Sequence, residues 1–198
     1  FHFSGFGDFL LRSSDGFATY ETLAPLHRLG TVIVDADRAD TLYGITCTGL
    51  QRSLDGAKTW RKFGRGLPKS LCPQGGLPPV MARDEQDLDK FYVGTLTQGV
   101  FASTDGGATF RAMNRGIETA AIQSLLIDPQ DPSRLFVGSA NRGVFQWNAD
   151  RDRWTPINNG LPLEGFAGVV TLDPQHPNLL YAASPVQGVY RLELAATP

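Results

Sequence analysis

Short apolar runs alternate along the chain with clusters of glycine, proline, aspartate and serine. Runs such as 31–34 and 169–172 are apolar or β-branched at consecutive positions, which predicts strands buried on both faces. The 22 glycines and 13 prolines fall largely between such runs. This pattern predicts many short strands joined by turns, and therefore an all-β fold.

One arrangement of runs recurs four times. Each copy contains an aspartate that precedes an aromatic residue by 8 positions, and the copies follow one another at intervals of 49, 44 and 45 residues. The four aspartates are Asp35, Asp84, Asp128 and Asp173. A repeat of about 45 residues made of strand signals has the size of one four-stranded blade of a β-propeller.

Each repeat can be divided into four strands. The β-branched run before the aspartate predicts the innermost strand A, and Asp-Pro-x-x-Pro predicts a tight turn because proline fixes φ and aspartate bonds the turn backbone. The following Leu-Tyr/Phe-Val-Gly predicts strand B, and Gly-Val-Phe predicts strand C. A segment such as 60–63 predicts the outer strand D.

These strands predict a single propeller domain over residues 1–198, with about five blades of antiparallel strands. The approximate blades are 1–26, 27–70, 76–115, 120–160 and 165–195. The first lacks strand A and the last ends after strand C, which gives 18 strands. A closed ring of four or five four-stranded blades needs sixteen or twenty strands. The chain is therefore either an irregular five-bladed ring or an arc of a larger ring.

A second motif lies between predicted strands C and D. It reads Ser-x-Asp-Gly-x-x-Thr-aromatic at 13–20, 53–60 and 103–110, and Asp-Gly favours a hairpin turn. The positions that define it are Ser13, Asp15, Gly16, Thr19, Tyr20, Ser53, Asp55, Gly56, Thr59, Trp60, Ser103, Asp105, Gly107, Thr109 and Phe110.

These motifs, with the aspartate repeats, resemble the Asp-box β-propellers, also called bacterial neuraminidase repeat (BNR) proteins. The family pattern is Ser-x-Asp-x-Gly-x-Thr-Trp/Phe, and only the third copy has glycine at the fifth position, Gly107. The resemblance covers nearly the whole chain. It implies that the box aspartate accepts turn N–H bonds and that the aromatic packs beneath the hairpin, so the boxes are expected to be structural.

The short blades also carry Gly-Leu-Pro after strand D, at 66–68 and 160–162. In this they resemble bacterial propellers related to the photosystem II stability and assembly factor. That resemblance implies a non-catalytic protein outside the cytoplasm, peripheral to a membrane. Its role would be a protein-binding scaffold, assembly factor or accessory subunit of a larger complex, such as a membrane or photosynthetic complex.

The Asp-box family also includes enzymes, which supply the alternatives. One is a sialidase- or xyloglucanase-like glycoside hydrolase, or a glycan-binding propeller, and another is a sortilin-like receptor fragment. A glycosidase needs two carboxylates at a defined separation, and no sequence feature selects such a pair. The arginines Arg12 and Arg52 occupy equivalent strand C positions, so the repeat explains them. No catalytic residue, cofactor or metal ligand is predicted.

Charge and hydropathy exclude several classes of binding partner. The net charge is -2 and no run of Lys and Arg occurs, so neither nucleic acid nor an anionic membrane surface is expected as a partner. No stretch approaches the roughly 18 apolar residues of a membrane span. The resemblance to the assembly-factor propellers implies protein partners instead.

Three further features remain open. Cys47 and Cys72 are either one disulfide of an oxidising compartment or two free thiols. The Pro-rich stretch 73–79 is either a binding loop or a connector. Trp147 breaks the repeat, because it stands where Ser103 stands one copy earlier, and it is therefore a candidate contact residue.

Overall fold

The computed structural model describes residues 2–6, 9–73, 76–161, 168–184 and 188–194. These residues form eighteen β-strands. Nowhere in this described part is there a helix long and apolar enough to cross a membrane. The strands are β1 (His2–Phe6), β2 (Phe9–Ser13), β3 (Glu21–Thr22), β4 (Leu29–Val34), β5 (Leu42–Thr46), β6 (Gly49–Ser53), β7 (Arg61–Lys62), β8 (Val80–Arg83), β9 (Phe91–Thr95), β10 (Gly99–Ser103), β11 (Arg111–Ala112), β12 (Ile122–Ile127), β13 (Leu135–Ser139), β14 (Gly143–Asn148), β15 (Arg153–Pro156), β16 (Val169–Leu172), β17 (Leu179–Ser184) and β18 (Gly188–Glu193).

The strands form antiparallel sheets of consecutive strands, as in a β-propeller. The second, third and fourth sheets are β4–β7, β8–β11 and β12–β15, and three-stranded sheets β1–β3 and β16–β18 stand at the two ends. The prediction of an all-β fold is confirmed. The blade boundaries and count remain predictions, since no strand pairing joins the first sheet to the last among the described residues.

Apolar clusters fill the space between neighbouring sheets. Phe91 and Phe110 of the third sheet pack with Tyr43 of the second, and Trp154 of the fourth packs with Val100 of the third. The second strands β5 and β13 are buried along their whole length. The innermost strands differ from the prediction: β4 and β16 are only partly buried, and Val34 and Val169 are among their exposed residues.

The turn after each innermost strand is built in the same way four times. The Oδ1 atom of its aspartate accepts N–H bonds from the residues two and three positions later, at 2.8–3.4 Å. The aspartate N–H donates to the carbonyl six positions later, at 2.9–3.1 Å. These four aspartates are therefore turn residues, and the turn forms whether proline follows, as at Asp128 and Asp173, or not.

Side chains link successive turns. The Nη1 atom of Arg83 donates to Oδ2 of Asp35 at 2.8 Å, and both side chains are only 8% exposed. The same guanidinium lies over the rings of Tyr43 and Phe91. One sheet further on, Gln86 donates through Nε2 to a backbone carbonyl of the next turn at 2.8 Å. Because a buried charge that loses its partner is costly, the Asp35–Arg83 pair fixes the second sheet to the third.

Hydroxyl groups tie the innermost strands at two of the boundaries between sheets. The Oγ1 atom of Thr31 accepts the N–H of Met81 at 3.2 Å, and Oγ of Ser124 accepts the N–H of Val170 at 3.1 Å. Both hydroxyls stand four residues before a turn aspartate, where the third sheet has Val80. The boundary between the third and fourth sheets therefore lacks this bond.

A disulfide closes the second sheet. It joins Cys47, in the turn between β5 and β6, to Cys72, in the connection to the third sheet, with 25 residues of sequence separation. The neighbouring Leu71 is buried and donates its N–H to the Cys47 carbonyl at 2.8 Å. The bridge thus anchors the start of the connection to the sheet it leaves.

Replacing Thr31 with valine is expected to lower the free energy of unfolding by about 1–2 kcal/mol, because the buried N–H of Met81 loses its acceptor. Urea denaturation measures the change. The matched control is Val169→Thr, at the same repeat position but 51% exposed, which should be near neutral. Equal effects of both variants would contradict the bonding role of Thr31.

Removing the disulfide by Cys47→Ser with Cys72→Ser should cost about 3 kcal/mol, because the unfolded chain gains loop entropy. The unfolding midpoint in urea, with and without a thiol reductant, measures this. Reductant should lower the midpoint of the natural chain and leave that of the double variant unchanged. A natural chain that is insensitive to reductant would argue against the bridge.

Candidate functional site

The three Ser-x-Asp motifs form identical turns between the last two strands of their sheets. In each, the serine Oγ donates to Oδ1 of the aspartate at 2.7–2.8 Å and accepts the N–H of the fifth motif residue at 2.8–3.0 Å. The threonine donates its N–H to Oδ1 at 2.8–2.9 Å and its hydroxyl to Oδ2 at 2.6 Å. Both oxygens of every motif carboxylate are therefore used inside the turn.

This bonding lowers the pKa of each motif aspartate from 3.8 to about 2. The largest cause is the threonine hydroxyl, followed by the threonine N–H and the serine hydroxyl. Hydrogen bonds to the ionised form favour it over the neutral acid. These carboxylates therefore remain ionised, and because their oxygens already accept hydrogen bonds within the turn, their role is to stabilise it.

The turn geometry favours glycine at the fifth position of the motif. Phe17, Ala57 and Gly107 occupy that position with φ of 68°, 69° and 84°. This left-handed region is strained for residues with a side chain. The first two motifs therefore keep the turn at some cost in backbone energy.

The motif aromatics pack toward the preceding sheet. Phe110 is 4% exposed, and Trp60 packs partly buried against Leu10 and Leu23 of the first sheet. Tyr20 differs from the expectation of a buried aromatic, because it is 64% exposed. The described residues contain no sheet before the first one on which its ring could pack.

Trp147 lies in a groove between the third and fourth sheets, the Trp147 groove, of about 480 Å³. Its ring stands edge-on to Trp154 at 5.4 Å between centroids, and Trp154 is fully buried and donates Nε1–H to the Met113 carbonyl at 2.6 Å. The rigid Trp154 therefore fixes a half-buried indole at the surface. The groove is lined by Asp84, Gln86, Asp87, Lys90, Tyr92, Pro132, Ser133, Leu135, Trp147 and Ala149.

The polar groups of this groove are preorganised. The Nζ atom of Lys90 lies 3.1 Å from Oδ2 of Asp87 and 3.8 Å from Oδ2 of Asp84. The bond to Lys90 lowers the pKa of Asp87, and the same bond raises the pKa of Lys90. Burial raises the pKa of the Tyr92 hydroxyl. The groove thus offers charged and neutral hydrogen-bonding groups beside one aromatic face.

Next to this groove lies a larger cleft between the innermost strands, the axial cleft, of about 680 Å³. The strands β4, β8 and β12 line it with aliphatic side chains, and the turns after β8 and β12 add carboxylates. The two cavities share Asp84, Gln86 and Pro132. They are therefore adjacent, and the axial cleft is mostly apolar while the Trp147 groove combines aromatic and polar side chains.

Sequence reasoning singled out Trp147 but missed the residues around it. Arg83, which lines the axial cleft, could have been found from the repeat, because it is charged where the equivalent positions hold the apolar Val34, Ile127 and Leu172.

The stretch 73–79 contributes the 58% exposed Leu77, and positions 74–75 lie outside the described residues. Within the described part, no group of His, Cys, Asp and Glu side chains could hold a metal ion.

The motif pKa values predict how acid acts on the fold. Because the folded pKa of Asp105 is about 2 and the unfolded value is 3.8, its contribution to stability is complete above about pH 4 and is lost as the pH falls toward 2. Asp105→Asn should lower stability near neutral pH and flatten its loss between those values. Urea midpoints across this range test it, with Asp150→Asn, in the turn of the fourth sheet that lacks the motif, as the control that should change neither.

No model of a known protein family matches the chain. Among curated proteins, an oligoxyloglucan-reducing end-specific xyloglucanase of Emericella nidulans is 34% identical to it over 73 residues. The match covers 35% of this chain and 9% of that enzyme. The chain therefore spans only a small part of the curated relative that it resembles.

Solved structures establish the fold. The GH74 xyloglucanase from Xanthomonas campestris superposes on 93% of this chain with a TM-score of 0.73 and 19% identity, over 32% of its own length. The structure of YCF48 bound to D1 peptide superposes on 96% of this chain with a TM-score of 0.61 and 13% identity, over 58% of its length. At these identities the likeness concerns the backbone, and it identifies the fold of this chain as a β-propeller.

Proposed function

We propose that this chain is a glycan-binding propeller, or the binding part of a xyloglucanase-like protein, that acts outside the cytoplasm. The observation that carries the proposal is the pair of adjacent cavities, the axial cleft and the Trp147 groove, which share three lining residues. Ligand sites are typically concave and mostly apolar, with a few fixed polar groups. The two cavities have that composition.

The Trp147 groove is suited to a sugar chain. A pyranose ring presents C–H groups on its faces and hydroxyls around its edge. The half-buried indole of Trp147 offers an apolar face, and the hydroxyl of Tyr92 with the Lys90–Asp87 pair supplies donors and acceptors beside it. Trp154 holds the indole in place, so little side-chain entropy is lost on binding.

The curated relative favours this proposal over the assembly factor that the Gly-Leu-Pro segments suggested, because the sequence match is to a xyloglucanase. For hydrolysis, two suitably placed carboxylates are needed. Three carboxylates line the axial cleft. Asp84 and Asp128 are engaged in their own turns through Oδ1, so Glu85 alone of the three does not hold a turn in this way. We therefore assign binding, and no catalytic residue, to the described side chains.

Two structural assignments accompany the proposal. The three Ser-x-Asp turns are Asp boxes that hold the ends of their sheets, because both carboxylate oxygens are bonded within the turn. The Cys47–Cys72 disulfide supports an oxidising location, such as the periplasm or the cell exterior, since disulfides rarely persist in the cytosol.

A protein-binding scaffold is the second candidate. It is favoured by the last sheet, where Val169 and Val189 are 51% and 70% exposed. Exposed apolar patches of this kind often mark protein interfaces. A purified chain that binds no glycan and forms a stable complex with one defined protein through this sheet would support the scaffold instead.

Trp147→Ala is expected to weaken binding of a xyloglucan oligosaccharide at least about tenfold, or about 1.4 kcal/mol, because the sugar loses its aromatic contact. Isothermal titration calorimetry measures the affinity, and the thermal midpoint confirms folding. Trp147→Phe keeps a ring and should retain part of the affinity.

The matched control is Tyr20→Ala, which removes an exposed aromatic ring in the first sheet, outside the groove. Its affinity should equal that of the natural chain. The proposal fails if the natural chain does not bind the oligosaccharide, or if Trp147→Ala binds as tightly as the control.

A further inference from the structure

The outer strands of the second sheet carry an unfavourable charge pair. In the first sheet the cross-strand partners are Arg12 and Glu21, which form an ion pair. At the equivalent position of the second sheet, Arg52 faces Arg61. Like charges directly opposite each other destabilise an antiparallel pair. This sheet therefore keeps a repulsive contact where its neighbour has an attractive one.

The cations of this region have no carboxylate partner at ion-pair distance among the described residues, although Arg52 also borders a pocket lined by four aspartates. No ion pair between described residues involves Arg52, Arg61 or Lys62. Between Asp55 and Asp84 the sequence contains no acidic residue. The basic residues of that stretch are Lys58, Arg61, Lys62, Arg65, Lys69 and Arg83. Except for the buried and paired Arg83, they are exposed and form a local excess of positive charge.

A groove of about 420 Å³, the β6–β7 groove, gathers the central cations. Arg52, Arg61 and Lys62 line it against a single carboxylate, Asp55, whose oxygens accept the Ser53 and Thr59 hydroxyls. The Arg52 guanidinium lies 3.9 Å over the Phe63 ring, which fixes its orientation. Leu54, which is 62% exposed, adds an apolar wall.

We infer that the β6–β7 groove binds the carboxylate groups of an acidic polysaccharide built from uronic acid residues. A guanidinium can donate two parallel hydrogen bonds to a carboxylate. A carboxylate bound between Arg52 and Arg61 would also relieve the repulsion between their two positive charges. The exposed Leu54 offers an apolar surface to the sugar ring. The exposed Lys62 in the groove, and Lys58 nearby in the sequence, add positive charge for a chain that carries a carboxylate on each residue.

This site is separate from the Trp147 groove and takes a charged ligand, so it goes beyond the function proposed above. Residues of the second sheet line it, and those of the Trp147 groove belong to the third and fourth. Oligogalacturonate is a suitable probe because it carries a carboxylate on every sugar. Binding should occur at low ionic strength and weaken strongly as salt screens the exposed charges.

The decisive variant is Arg61→Glu. It recreates the cross-strand charge pair of the first sheet, so the thermal midpoint should stay equal or rise, while oligogalacturonate affinity falls at least about tenfold because one cation is replaced by an anion. The matched control is Arg111→Glu in the third sheet, which has the same charge change opposite Ala102 and should keep the affinity within about twofold.

Calorimetry with the natural chain and both variants decides the inference. It is overturned if the natural chain fails to bind oligogalacturonate at low ionic strength, if Arg61→Glu binds equally well, or if Arg111→Glu loses as much. A glutamate oligomer of equal charge that binds as tightly would assign the groove to acidic peptides and overturn the sugar. Trp147→Ala should keep full oligogalacturonate affinity, which separates this test from that of the proposed function.

Discussion

The inner sheets of this protein carry apolar side chains on both faces and can bury those faces only against their neighbours. A four-stranded sheet standing alone would leave half of its hydrophobic side chains in water, so stability depends on the stacking of sheets. The clusters between sheets show this dependence, with Trp154 and Phe110 each buried against the sheet before their own. Where the described stack ends, Tyr20 at one end and Val189 at the other are exposed.

The repeats in the sequence were sufficient to predict the structure within a single sheet. The aspartate turns, the strand order and the Ser-x-Asp hairpins depend on local backbone bonds, which recur whenever the same short pattern recurs. Contacts between sheets were not accessible in this way. The Asp35–Arg83 pair joins residues 48 positions apart and depends on the angle between two sheets, which no local pattern specifies. The exposure of the innermost strands was missed for the same reason.

The residues with most bearing on function are departures from the repeat. Trp147 could be singled out because it replaces the motif serine, whereas the surrounding groove required the packing of two sheets. Arg52 looked ordinary, since Arg12 holds the same place in the first sheet. Its significance appears only when the register sets it opposite Arg61. In a repeated fold, shared positions maintain the scaffold and unshared ones are free to acquire ligands.

The hydroxyl bonds between innermost strands are unevenly distributed, and this has a consequence for binding. Thr31 and Ser124 fasten the second sheet to the third and the fourth to the fifth, whereas Val80 leaves the boundary between the third and fourth without such a bond. That boundary is held by other side chains, since Gln86 donates to the Pro129 carbonyl and Trp154 to the Met113 carbonyl. The Trp147 groove opens along the same boundary, so an occupant there would contact two sheets at once and add a further link between them.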